Sequence, residues 1–233
     1  MALIVGTLPS LPAVAVAAAA SPPAASSPAA SPTGTTLVSV APDGSAANGW
    51  ADRPEISGDG RYVTFDSSAS NLVPGTTGVV RRVYRHDRVS GLTELVSLGQ
   101  DGQVAGEWNS FSWPSDNGRL VAFVSDDQTL SSPPTRARSV FLRDLDLDTT
   151  EVISVNAQGQ PANGASSRPM VSPDGRFVAF SSYATNLSPE GNNGQEQVFL
   201  RDRVQGTTTL VSAAVDGGPG DARSYRGMVS SDG

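Results

Sequence analysis

The sequence predicts an all-β protein made of repeated small antiparallel sheets, and three observations carry that prediction. The first is a turn motif at near-constant spacing: Asp59-Gly60-Arg61, Asn117-Gly118-Arg119 and Asp174-Gly175-Arg176, with Asp232-Gly233 opening a further copy. Successive glycines of the motif stand 58, 57 and 58 residues apart. The second is that other landmarks keep the same register. A hydrophobic-Ser pair recurs at Val38-Ser39, Val96-Ser97, Ile153-Ser154 and Val211-Ser212. An aromatic and an Asp recur as Tyr84/Asp87, Phe141/Asp144 and Phe199/Asp202, and a Phe follows each turn at Phe65, Phe123 and Phe180. The third is that no window carries a long helical period, while the apolar runs are short and rich in β-formers. A fixed period of this length marks a repeat architecture.

The third copy shows what one repeat encodes. Residues 168–172 form a short, partly apolar run, and Pro173-Asp174-Gly175 turns the chain, with Gly175 free to take positive φ and with Ser172 and Asp174 able to bond local backbone. Residues 176–181 read as a strand, 183–195 as a polar loop and 197–202 as the next strand. Val204-Gln205-Gly206 turns again, and 207–212 form the fourth strand. The middle strands are apolar on both faces, which suits a small sheet held between two neighbours. Four-stranded sheets stacked radially are the β-propeller solution to exposed edges.

The repeat predicts three complete blades, at 52–98, 109–155 and 168–213. Residues 36–40 are expected to end a preceding blade and 223–230 to begin a following one. Rings typically have about four to eight blades, and the chain stops inside a turn motif, so the sequence predicts part of a six- to eight-bladed ring with the propeller region at 35–233.

The N-terminus is a different kind of sequence. Residues 1–20 are apolar and uncharged and end in small residues, with Ala15-Val16-Ala17 as one cleavage-like site, so they are expected to be a signal peptide. No Arg precedes Arg53, so the basic start of such a peptide is missing. Pro9 and Pro12 and the marginal length argue against a membrane-spanning helix. The Ala/Pro/Ser run at 21–34 reads as a linker.

The segment Val171-Ser172-Pro173-Asp174-Gly175-Arg176-Phe177-Val178-Ala179-Phe180 resembles the repeat of TolB-like β-propellers, in which a Ser-Pro-Asp-Gly turn precedes a strand ending in Ala-Phe. Ile56–Phe65 and Pro114–Phe123 are further, less complete matches. Ala69-Ser70-Asn71-Leu72 and Ala184-Thr185-Asn186-Leu187 resemble a long-loop subgroup of bacterial exported proteins, whereas copy two keeps only Leu130 of that segment.

Candidate chemistry is sparse. A net charge of −7 argues against a nucleic-acid partner. The absence of Cys excludes disulfides, thiolate metal sites and Cys nucleophiles. The one histidine, His86, occupies the slot of Arg143 and Arg201 and reads as a strand-surface residue. There is no Gly-x-Ser-x-Gly elbow, and the His-rich metal site of oligogalacturonate-lyase-type propellers, which also resemble this repeat, has no counterpart. The acidic run 144–148 invites a calcium reading, but Thr149 and Val155 stand where an EF-hand needs Gly and Glu, and Asp148 aligns with the turn residues Gly91 and Gly206. Asp87, Asp144 and Asp202 recur in every copy, which points to a per-blade structural job. Trp113 shares a slot with Met170, Met228 and Glu55 and reads as core, while Trp50 and Trp108 fall in pre-strand loops as lids over a blade edge. No catalytic, cofactor or metal residue is therefore assigned.

The resemblance implies a non-catalytic binding or scaffold module of the cell envelope or extracellular space, with a protein or glycan partner. The alternative is the accessory propeller of a larger hydrolase, such as a prolyl-oligopeptidase-like peptidase, whose catalytic domain would lie beyond residue 233.

Overall fold

The computed structural model describes residues 34–230, so the expected signal peptide, nearly all of the linker and the final Asp232-Gly233 turn lie outside the described residues. Each repeat builds one sheet of four strands, paired antiparallel in sequence order. The first sheet holds β1 (Ala51–Ile56), β2 (Tyr62–Ser67), β3 (Arg82–Asp87) and β4 (Thr93–Leu95). The second holds β5 (Asn109–Pro114), β6 (Leu120–Ser125), β7 (Ser139–Asp144) and β8 (Thr149–Val152), with a short 3-10 helix (Gln128–Leu130) between β6 and β7. The third holds β9 (Ser166–Val171), β10 (Phe177–Ser182), β11 (Gln197–Asp202) and β12 (Thr207–Leu210). Innermost strands lie against one another, β1 on β5 and β5 on β9, which is the arrangement of propeller blades about an axis.

The turn motif does the work expected of it. The N–H of Tyr62, Leu120 and Phe177 donates to the hydroxyl of Ser57, Ser115 and Ser172, at 2.9, 3.0 and 2.9 Å. The turn glycines take φ of 72°, 65° and 78°. Two of them also meet the neighbouring blade. A Cβ on Gly118 would stand 2.3 Å from the Tyr62 ring, and one on Gly175 would stand 2.1 Å from Leu120. Glycine is thus required there by packing as well as by φ.

The middle strands are buried along nearly their whole length. In each blade the two recurring aromatics face each other across the ladder and stack, Phe65 on Tyr84, Phe123 on Phe141 and Phe180 on Phe199, at 5.8, 5.6 and 5.9 Å. Two of the core clusters straddle blades. One joins Val83 and Val96 to Val121 and Phe123, and another joins Val124 and Val140 to Val178 and Phe180.

The recurring Asp has two tasks. Asp87, Asp144 and Asp202 accept backbone N–H groups of the following turn, as expected, for example Val89, Leu147 and Gln205. Each also takes a two-pronged bond from the Arg of the turn motif: Arg61 to Asp87, Arg119 to Asp144 and Arg176 to Asp202, each with a 2.7 Å contact. These arginines hold the carboxyls below their usual range, Asp87 most strongly and Asp202 at about 2.

A second repeating device links neighbouring blades. Thr150 and Thr208 donate to the carbonyls of Leu98 and Val155, at 2.7 and 2.6 Å, and Thr93 reaches Val40 at 3.4 Å. The same hydroxyls meet Arg143, Arg201 and His86. His86 is therefore buried beside Thr93, which corrects the expected strand-surface position, and burial lowers its pKa.

Two expected flanking strands are not formed among the described residues. In 36–40 only Val40 pairs, through a single bridge to Ala46. Residues 223–230 follow the inner-strand path without a ladder. The Ser224 N–H donates to the Glu196 carbonyl, as Asn109 does to Arg81 and Ser166 to Arg138. A ladder needs a paired strand on at least one side, and no described residue supplies one to either segment.

Candidate functional site

The site begins with a fault repeated in every inner strand. The pairing register slips between Asp52 and Glu55 on β1, between Ser110 and Trp113 on β5, and between Ser167 and Met170 on β9. Each slip is a β-bulge, a device that re-aims side chains. The bulged residue takes positive φ: Arg53 at 50°, Phe111 at 56° and Arg168 at 51°. Arg226 holds the same register in the following segment with φ of 60°. Positive φ is uncommon for bulky side chains, and each such residue costs on the order of 1–3 kcal/mol. Four in one register indicate a feature the repeat builds.

The four positive-φ residues converge on one pocket of about 490 Å³. The residues two positions further on, Glu55, Trp113, Met170 and Met228, line it as well. The slot read from sequence as core is therefore the wall of an axial pocket. Trp113 still packs partly on the core, so that expectation holds for one of its faces. The available signal was the slot's content: a buried core slot rarely admits Glu, and the slot two earlier carries Arg, Phe, Arg and Arg.

The charges around the pocket are ordered. Arg53 donates to Ser110 at 2.7 Å, lies 3.5 Å from Asp66 and stacks over Phe111 at 4.3 Å. Asp66 is fully buried, takes a bond from the Ser110 hydroxyl and stands 3.5 Å from Arg81. Burial pushes its carboxyl up to about 6 against these favourable contacts. Arg168 meets buried Glu196 at 2.7 Å, and the other oxygen of Glu196 takes Arg223 at 2.5 Å. Arg226 is exposed, and its guanidinium makes no ion pair among the described residues.

A second cleft, of about 400 Å³, lies at the pre-strand loops. Trp50 and Trp108 line it, and Arg81 stacks on both at 4.1 and 5.6 Å, while Arg138 covers Trp108 at 4.6 Å. These tryptophans form rungs of a cation-π ladder joining blades one and two, which gives physical form to the expected lid. Asp148 sits in its hairpin turn with φ of 55° and pairs with Arg143, as the turn reading anticipates.

These sheets, turns and inter-strand contacts define the blades of a β-propeller. No protein-family model matches the chain, and no curated protein shows significant similarity to it. Among solved structures it is similar to TolB from Acinetobacter baumannii, at 15% identity and a TM-score of 0.48, over 79% of this chain and 36% of that one. It is also similar to a putative TolB from Agrobacterium tumefaciens, at 13% identity and a TM-score of 0.43, over 71% and 63% of the two chains. The β-propeller domain of the Trilobed protease from Pyrococcus furiosus matches at 10% identity and a TM-score of 0.44, over 69% and 41%. The chain thus spans about a third of the first of these proteins. The likeness is one of fold.

Proposed function

We propose that this chain is a non-catalytic binding module, that it works in the cell envelope or outside the cell, and that its axial pocket engages a protein or glycan partner. The observation that carries this reading is the convergence of four strained, positive-φ positions on one pocket. Strain of that kind persists where the surroundings enforce it, and it clusters at binding sites. The lining offers Arg, aromatic and Met side chains, the types enriched in recognition surfaces. The export part of the reading rests on the apolar, uncharged residues 1–20.

The test screens the full chain against arrays of peptides and of bacterial surface glycans, beside Trp113→Ala and Trp50→Ala variants. Binding that is lost in Trp113→Ala and kept in Trp50→Ala is the expected result. The reverse pattern would move the site to the loop cleft, and no binding on either array would overturn the reading. A reporter enzyme fused behind residues 1–34 should be exported, and its retention in the cytoplasm would refute the location.

A further inference from the structure

The chemistry of the axial pocket selects a class of ligand, an inference that rests on the axial reading above. Most of its charge is already balanced internally. Asp66 and Asp52 face Arg53 and Arg81, and Glu196 is shared by Arg168 and Arg223. Glu55 is the one carboxylate in the lining itself. Five guanidiniums thus meet four carboxylates, an excess of one positive charge, and Arg226 is the one of the five that makes no ion pair among the described residues; it is exposed at the pocket wall. The Nε–H of Arg168 is also buried without a hydrogen-bond partner among the described residues.

Beside this charge lies an apolar surface formed by Phe111, Trp113 and the two methionines. Among the described residues Met228 is 82% exposed, and Phe111, Trp113 and Met170 are partly exposed. One net positive charge suits a singly charged anion better than a phosphate, and a planar guanidinium matches a carboxylate. We propose that the axial pocket takes a monocarboxylate carried on an apolar or aromatic body, with Arg226 receiving the carboxylate and Trp113, Met170 and Met228 receiving the body. A free peptide C-terminus after a hydrophobic residue supplies this chemistry, as does a small aromatic acid.

The chain has three methionines, and two of them line the pocket, so methyl-labelled Met reports directly on it. The probes are N-acetyl-phenylalanine and its amide, which differ only in charge, titrated into the full chain and into Arg226→Gln. The expected result is that the acid shifts the Met170 and Met228 methyls at concentrations at least tenfold lower than the amide does, and that Arg226→Gln abolishes the difference. Arg226 is exposed, so this variant should fold, which unchanged resonances elsewhere will verify. A hydrophobic tripeptide with a free or amidated C-terminus separates the two ligand sources. If its free acid is preferred, the source is a peptide terminus. If only the single amino acid shows the preference, the source is a small acid. Equal affinity for acid and amide would overturn the carboxylate inference and leave axial binding standing. No methyl shift with any probe would also overturn the carboxylate inference, while the axial reading stands or falls on the array screen.

Discussion

Substituting Gly118 by Ala tests whether the turn glycines lock neighbouring blades. Gly60 and Gly118 occupy the same turn position with nearly the same φ, 72° and 65°. A Cβ on Gly60 meets nothing within 4 Å, whereas one on Gly118 stands 2.3, 2.6 and 2.8 Å from Cδ2, Cγ and Cβ of Tyr62. Tyr62 has little room to retreat, because Arg61 and Arg85 stack on its ring at 4.9 and 4.3 Å. Left-handed φ alone costs an Ala roughly 1–2 kcal/mol. Overpacking adds about 1–3 kcal/mol, so Gly118→Ala is expected to cost about 2–5 kcal/mol in total and Gly60→Ala only the first part. Gly175→Ala should fall between them, since its clash is with the tip of the Leu120 side chain. The assay is urea unfolding followed by tryptophan fluorescence and circular dichroism. In a Tyr62→Ala background the cost of Gly118→Ala should drop to that of Gly60→Ala. Equal costs for Gly60→Ala and Gly118→Ala, within about 0.5 kcal/mol, would refute the inter-blade lock.

Further predictions concern the other repeated devices. Thr150→Val removes the bond to the Leu98 carbonyl and a partner of buried Arg143, and should cost about 1–3 kcal/mol in the same assay. Asn163→Ala removes two side-chain bonds, Oδ1 accepting from the Thr185 N–H and Nδ2 donating to the Thr185 hydroxyl, and leaves the backbone N–H bond to Asn186 in place; a cost of about 1–2 kcal/mol is expected. Asp87, Asp144 and Asp202 have folded pKa values below the unfolded value of about 3.9, so their stabilisation is complete above that pH and is lost as pH falls through the folded values, which for Asp202 is about 2. Asp87→Asn should flatten the loss of stability with acid below about pH 4. Asp66 has the opposite sign: its folded pKa is about 6, so its effect lowers stability as pH rises from about 4 to 6. A carboxyl titration midpoint near 4 for Asp66 would contradict this.

Much of the fold was legible because the repeat aligns unlike residues that share a task. Four landmarks in one register gave the strand order and the blade count, and the aromatic pairs and turn hydrogen bonds followed from them. The Arg of each Asp-Gly-Arg motif was visible, but its bond to an Asp about 26 residues later was not, since that pairing depends on β2 and β3, and their counterparts, lying side by side. His86 misled for a similar reason: Arg143 and Arg201 are usually surface residue types, yet here Arg143 is buried, Arg201 is half-buried, and both are anchored by Thr at the blade interface. The axial site was the least legible. A positive-φ turn in the inner strand leaves little mark on composition, because Arg53, Phe111, Arg168 and Arg226 share only a backbone conformation. Their common direction emerges when the inner strands are brought together.

The measurement that tests the account most directly is a paramagnetic label at the axis. The chain has no native Cys, so Glu55→Cys accepts a single nitroxide. The account predicts strong broadening of the Met170 and Met228 methyls, which lie 115 and 173 residues away in sequence and share the pocket with residue 55. Sharp, unaffected signals from both methyls would show that the inner strands do not converge, and the axial site would fall with them.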